Sequence, residues 1–285
     1  MTYGLNTTSD ITTYIQTIYD DAMHIARENT LMTRLVNVFN DRTGIAVRTR
    51  SEYNEATFAA IAESDDLNSQ LFTPSVGASL TPAELGAQFF FTDLRMESDP
   101  FEVRSDGAIE LGMAAATKID TDLVNDFDGF TGGTVGAAGT VNSWGRFWAM
   151  ASILRAQKAP KPWFYVCHPY SWFPLGQAAA PGATVTNSPA FQDRIAGNFF
   201  VGNAGGIDIF TSSNITIDGS DDAYAGMFSR TALGYDNRRA PRLEPERDAS
   251  RRGIELNLTA VYAHGVWRPK FGVQGLFDAS VPTGD

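Results

Sequence analysis

The sequence predicts an α+β fold, and three observations carry that expectation. Ile109, Met113, Ala116, Ile119, Leu123 and Phe127 recur at three- and four-residue steps, which marks one face of a long helix. ELNLTAVYAHGVW alternates over a dozen residues, with Leu256, Leu258, Ala260, Tyr262 and Val266 on one side, which marks a strand. Short apolar runs such as WFYVC (163–167) and GIDIFTS (206–212) are bounded by Gly, Pro and Ser, as short strands are. The 285 residues suffice for one large domain or two modest ones with a sizeable core.

In chain order, Ser9-Asp10 caps a helix carrying Ile11, Ile15, Ile18, Ala22 and Ile25 on one face, fraying near Asn29. Leu35, Val36, Val38 and Phe39 then read as a short strand. Residues 41–92 open with GIAVRTR, strand-like at Ile45 and Val47, pass through polar ESDDLNSQ, and regain strand character in SVGASLTPAELGAQFFFT. The excursion holds few large apolar residues before Phe89. A two-stranded ribbon of this kind is marginal alone and must lie on its own domain or on a neighbour.

Ser98-Asp99-Pro100 is a helix start, with a capping side chain followed by a proline whose missing N–H costs nothing there. A helix running from Pro100 to Phe127 would be about 42 Å long. Gly107 and Gly112 interrupt it at about 1 kcal/mol each, marking a bend or a close packing contact. GFTGGTVGAAGT (129–140) reads as a flexible loop. Asn142-Ser143 caps a second helix to about Gln157, with Phe147, Met150 and Leu154 on one side, ended by Pro160 and Pro162. WFYVC is a buried strand, and PYSWFPLG a turn of helix. FFVG, GIDIFTS and AYAGMFS are short strands in or beside a region rich in Gly, Ala, Ser, Thr and Asn. Asp236 to Arg252 reads as an irregular charged stretch. ELNLTAVYAHGVW and FGVQGLF, joined at Arg268-Pro269-Lys270, read as a closing antiparallel hairpin.

Composition excludes several classes of function. No run of about 18 apolar residues exists, so no membrane partner is expected. The start of the sequence lacks a basic stretch followed by an apolar one, and no secretory signal is expected. Cys167 is alone and forms no internal disulfide, which fits a reducing compartment. The formal net charge is −11, with only four lysines, and residues 1–45 sum to −2. That argues against tight, sequence-blind binding of nucleic acid, which needs clustered cations.

The chemistry-bearing patterns are sparse. GxSxG, HExxH, GxxxxGK[ST] and CxxC are all missing, and the glycines of GGTVGAAG lack dinucleotide-binding spacing. His24, His168 and His264 stand at no metal-ligand spacing. His264, inside YAHGVWRPKF, reads as a partly buried strand histidine with a hydrogen bond. Asp218, Asp221 and Asp222 in IDGSDDAY depart from the EF-hand pattern and read as a solvated turn. No catalytic residue, metal ligand or cofactor is expected. Arg238, Arg239, Arg242, Arg247, Arg251 and Arg252 form the densest basic cluster. Asp236, Glu244, Glu246 and Asp248 are interleaved, leaving +2. Alternating signs with no lysine suit ion pairing across an interface better than a nucleic-acid groove. With Arg42, Arg48, Arg50 and Glu52, the residues Arg238, Arg239, Arg242, Glu244, Glu246, Arg247, Arg251 and Arg252 are the candidate inter-subunit contacts.

The order of elements resembles one family. A helical arm, a long hairpin excursion, the helix of SDPFEVRSDGAIELGMAAATKIDTDLVNDF, a second helix, a Gly/Ala-rich region, a charged return and LNLTAVYAHGVWRPKFGVQGLF together resemble the major capsid proteins of tailed bacteriophages, with the Hong Kong 97-type fold. The likeness spans nearly the whole chain.

It implies an N-arm and first strand at 1–40 and an extended loop over a neighbouring subunit at 41–92. It implies a peripheral domain at 93–165 and 241–285, with its spine helix at about 100–127, and an axial domain at 166–240. The implied role is a coat subunit that self-assembles into pentamers and hexamers of an icosahedral shell around double-stranded DNA, in the virion, assembled in the host bacterial cytoplasm. The implied partners are further copies of itself, a portal, a separate scaffolding protein or none, a decoration protein, and packaged DNA held by weak non-specific contact. Residues 41–92 contain no lysine, so a lysine–asparagine crosslink from this loop is excluded.

Two rivals stand beside this reading. One is an encapsulin-like compartment shell. The other is a monomeric α+β enzyme or glycan-binding protein, in which Trp144, Trp148, Trp163, Trp172 and Trp267 would be stacking platforms rather than core.

Overall fold

A computed structural model describes residues 31–53, 56–61, 63, 66, 69–98, 103–178 and 200–283. The helix expected over Ile11–Ile25 and the cap at Asp99-Pro100 lie outside these residues. Among the described residues the strands form a four-stranded sheet, a six-stranded sheet and a separate two-stranded hairpin.

Helix α1 (Met32–Leu35) and strand β1 (Asn37–Phe39) open the described chain. The short strand expected from Leu35 is therefore a helical turn first, because Met32 and Leu35 both reach the core from it. The hairpin follows, β2 (Arg48–Tyr53) and β3 (Pro74–Leu80), and then β4 (Ala83–Thr92). The expected strand at Ile45 and Val47 starts instead at Arg48, and both apolar side chains are exposed. Strand β4 pairs along its length with β11 (Gly253–Val266), from Ala83↔Tyr262 to Thr92↔Gly253. The projecting part of the 41–92 excursion thus ends near Leu80.

Helix α2 (Asp93–Ser98) precedes the long helix α3 (Val103–Asn125), which a 3-10 turn at Asp126–Gly129 closes. Ala108, Leu111, Ala116, Ile119, Leu123 and Val124 are buried along α3, the spacing of a helix laid on a sheet. Gly107 is a packing contact, since a Cβ there would stand 2.8 Å from the Phe91 ring. The GFTGGTVGAAGT segment contains β5 (Thr134–Gly136), paired in parallel with β12 (Gly272–Asp278). Helix α4 (Trp144–Ala156) begins where its cap predicts: the Ser143 hydroxyl accepts from the Arg146 N–H. Strand β6 (Trp163–Cys167) is buried at every position. Helix α5 (Pro169–Ala178), β7 (Phe200–Ala204), β8 (Ile207–Thr211), β9 (Asp222–Ser229) and β10 (Leu233–Asp248) complete the set.

The four-stranded sheet runs β1-β10-β11-β4 and carries α3. The six-stranded sheet runs β5-β12-β9-β6-β8-β7. One core lies at their junction, where Phe127 stacks on Phe130, Phe228 packs tilted against Phe127, and Leu233 and Tyr262 belong to the same cluster. A second lies between α4 and the larger sheet, around Phe147, Met150, Leu154, Tyr165 and Phe277.

Two expectations fail for stated reasons. The charged stretch Asp236–Arg252 is mostly strand, because β10 pairs with β11 from Leu233↔Val266 to Asp248↔Gly253. Its prolines are tolerated: Pro241 falls at a register shift, and β1 covers only Gly234–Asp236 on the outer side. The closing hairpin does not form either. Strand β11 already has β10 on one edge and β4 on the other, so FGVQGLF has no edge to return to. Residues 268–271 instead carry the chain across. The Trp267 and Arg268 N–H groups donate to the Ala232 carbonyl, and Thr131 and Gly132 donate to that of Pro269. Strand β12 enters the larger sheet between β9 and β5. Strands β5 and β12 share the larger sheet with β8 and β9, and α4 packs on it; the resemblance implied all three as part of a domain apart from residues 166–240.

Candidate assembly interface

The β2–β3 hairpin projects from a fixed root. Asp236, on β10, is wholly buried, and its Oδ2 accepts from Arg48 Nε at 2.8 Å and lies 2.8 Å from Arg238 Nη2. Arg48 also pairs with Asp41, and Arg238 Nη2 donates to the Ala46 carbonyl at 2.9 Å. The hydrogen bond to Asp236 holds the Arg48 guanidinium above its ordinary pKa. Arg48 also lies 4.4 Å over the Phe39 ring, and Phe39 meets Trp267 edge to face. Leu80, at the far end of β3, is fully buried against Gly234 and Gly265.

Beyond this root the hairpin has little cover. Tyr53 stacks on Phe72, with ring centroids 4.5 Å apart. Phe58 is fully exposed, Leu71 is 82% exposed and Phe72 70%. Each such side chain gains about 1.5–3 kcal/mol when it leaves water. Four large apolar residues on one tip, with Ile61 the fourth, make a surface built to be covered.

The sequence-predicted charges find many partners inside their own chain. Arg50 pairs with Glu52, Arg239 with Glu84, Arg242 with Glu244, and Arg247 makes a two-pronged contact with Asp93. Arg251 reaches Asp248 and Glu255, and Arg42 lies 3.9 Å from Asp41. Among the described residues no ion pair within 4 Å reaches Glu246 or Arg252. Exposed pairs of this kind contribute little each and can exchange partners, whereas the Arg48–Asp236–Arg238 cluster is interior.

A second polar cluster, unforeseen from the sequence, ties α3 to β11. His264 Nδ1 lies 3.0 Å from Asp126 Oδ2, Tyr262 donates to Asp122 at 2.7 Å, and Lys118 reaches the same Asp122 at 2.6 Å. The Asp126 hydrogen bond raises the His264 pKa against the effect of burial. Burial raises that of Asp126, outweighing the pull of His264. Nearby, Asp120 accepts the Leu31 and Met32 N–H groups and fastens the incoming chain to the helix. The only advance signal was the run of Asp120, Asp122 and Asp126 at the end of the helix. His264 is thus the hydrogen-bonded strand histidine that the alternation implied.

The other chemical candidates are structural. Asp218 Oδ1 accepts the Ser220 and Asp222 N–H groups, which is a turn. Burial pushes the Cys167 thiol up to about 12. Trp163 is buried and donates to the Ala159 carbonyl, Trp144 meets Phe147 and Trp172 edge to face, and Trp267 packs on Phe39. Those four are packing groups, not stacking platforms; Trp148, about half exposed, lies against Gly205.

Residues 77–274 match the family of phage capsid proteins, which covers more than half of the chain. The chain belongs to that family. This capsid protein has the Hong Kong 97-type fold, and solved structures agree. The capsid of the native GTA particle superposes with a TM-score of 0.67 at 13% identity, over 91% of each chain. The Mycobacterium phage Che8 structure gives 0.65 at 17% identity, over 86% of this chain and 90% of that one. The SrpI encapsulin complex of Synechococcus elongatus gives 0.62 at 10% identity, over 89% of each. No curated protein matches the capsid protein's sequence significantly.

Proposed function

We propose that this capsid protein builds pentamers and hexamers of an icosahedral shell around double-stranded DNA, and that its work is structural rather than catalytic. The observation that carries the reading is the β2–β3 hairpin: a projecting ribbon, rigid at Asp236 and bare at Phe58, Leu71 and Phe72, in a chain of this family. Only another copy covers such a tip in a repeating shell, and the proposed extended loop is this ribbon. The exposed charges Arg42, Arg242, Glu246, Arg251 and Arg252 are proposed as rim contacts between subunits, where pairing sets register more than affinity. The formal charge of −11 supports a shell that lines a genome by weak contact without gripping it. Assembly in the host cytoplasm, on a portal and with a separate scaffolding protein, with or without a decoration protein, belongs to the same proposal.

The likeness to an encapsulin complex favours one second reading, a compartment shell holding protein cargo. Expression of the chain alone followed by negative-stain microscopy tests the first proposal. Rings of five or six copies or closed shells are expected, and a monomer under all conditions sinks it. Nuclease-protected DNA in particles from infected cells separates the virion from the compartment.

A further inference from the structure

Six cations gather where three segments of the chain are tied together. Helix α4 carries Arg155 in its last turn and runs on into Lys158 and Lys161; the turn after β9 carries Arg230; the crossing after β11 carries Arg268 and Lys270. Hydrogen bonds join these segments. Gln157 Nε2 donates to the Gly132 carbonyl at 3.3 Å, and the Gly132 N–H to that of Pro269 at 3.1 Å. The Arg230 N–H donates to the Pro162 carbonyl at 3.3 Å, the Ser229 hydroxyl to that of Pro160 at 2.6 Å, and the Arg268 N–H to that of Ala232 at 2.9 Å. All six cations are exposed. No carboxylate occurs between Asp128 and Asp193, nor within 229–232 or 267–272.

We propose that this face is where the subunit touches packaged double-stranded DNA; the inference rests on the capsid reading and names the surface behind the weak contact. Three observations support it. The first is that the charges are left bare. Among the described residues none of the six makes an ion pair, whereas Arg239, Arg242, Arg247 and Arg251, also exposed, each have a carboxylate in their own chain. The contacts the six do make place them without cancelling charge: Arg230 Nε donates to the Val36 carbonyl, and Lys161 and Arg268 lie 5.7 and 5.6 Å from the rings of Trp163 and Phe271. The carbonyl end of α4 favours cations at Arg155 and Lys158, but the other four lie beyond it. The second is residue type. Three of the chain's four lysines are here. A lysine is a hydrated point charge on a flexible stem, which suits phosphates in no fixed register, whereas the arginine fork matches a placed carboxylate. The third is contrast. The formal charge of −11 makes most of the surface repel DNA, so contact is confined to this face and stays weak.

Fluorescence anisotropy of the full chain with a labelled mixed-sequence DNA duplex, over a series of salt concentrations, tests the proposal. Each phosphate contact contributes about 0.9 to the slope of log affinity against log salt. Lys158→Gln, Lys161→Gln and Lys270→Gln together are expected to flatten that slope by about 2.7, with an unchanged urea midpoint. Lys158→Arg, Lys161→Arg and Lys270→Arg together keep the charge and are expected to keep the slope. Arg95→Gln, Arg104→Gln and Lys118→Gln remove the same charge from α2 and α3 and are expected to leave the slope as in the wild type. An unchanged slope in the lysine-to-glutamine variant overturns the face. Equal flattening in both glutamine sets reports net charge alone and overturns it too. A wild type that binds no duplex at low salt, or prefers poly-glutamate to the duplex, assigns the six cations to an acidic protein and overturns the proposal. The expected slopes in a chain that forms neither rings nor shells overturn the capsid reading and leave the DNA-contacting face standing.

Discussion

His264 on β11 and Asp126 at the end of α3 lie 3.0 Å apart, joining a strand and a helix that are 138 residues apart in sequence. The pair gives the fold a pH dependence of defined sign. The folded-state pKa of His264 is raised, so its stabilisation is full below the ordinary value near 6.5 and fades as pH rises through the higher folded value. His264→Gln should destabilise the protein by about 1–2 kcal/mol below pH 6.5 and by less at pH 8. Urea midpoints at three pH values check this, and a penalty that grows with pH would contradict it.

Asp236 is buried between two guanidinium groups, and its removal leaves Arg238 without its carboxylate and Arg48 with only the exposed Asp41. Asp236→Ala should cost about 3–5 kcal/mol, as breaking an interior ion pair does. Asp41→Ala, at a largely exposed partner of Arg48, should cost clearly less than Asp236→Ala. Equal losses in denaturant titration would mean that the root is not organised around Asp236.

Gly107 faces the Phe91 ring at a distance that no added methyl tolerates without movement. Gly107→Ala gains about 1 kcal/mol of helix propensity and loses about 1–3 kcal/mol to overpacking. A net loss of up to about 2 kcal/mol is expected in thermal or urea unfolding. A stabilised variant would show that Phe91 yields freely.

Tyr53 and Pro74 face each other at the outer end of the β2–β3 ladder, so a two-residue turn can replace residues 54–73. The shortened chain should keep the circular dichroism and unfolding midpoint of the full one, because the three cores lie elsewhere, the third around Phe91, Leu111 and Leu256. It should fail to close shells in negative-stain images. Normal shells would remove the hairpin from the assembly surface.

Much of the fold was legible where local rules act alone. The Ser143 cap, the apolar stripe of α3 and the fully apolar WFYVC run each need only neighbouring residues, and each element stands where those rules put it. Strand β10 was illegible because its arginines, glutamates and prolines describe a loop until β11 lies beside it. The crossing after Val266 was illegible for a related reason: whether FGVQGLF turns back depends on β4 having taken the free edge of β11, a contact 167 residues away in the Gln88–Glu255 pair. Of the hairpin tip the sequence showed only that few large apolar residues precede Phe89; that Phe58, Leu71 and Phe72 among them are bare depends on the fold. The aspartates of α3 carried no sign of their partners.

Strand β12 sits inside the larger sheet, flanked by strands made about 45 and 140 residues before it. A ribosome translating this chain releases β5 and β9 long before the strand that joins them, so the nascent sheet stays divided until residue 278 emerges. A product of early termination at residue 271 keeps the projecting ribbon and the four-stranded sheet but presents a split second body. Such an unfinished chain should be cut by protease faster than the finished one, because β5 and β9 lack the strand between them.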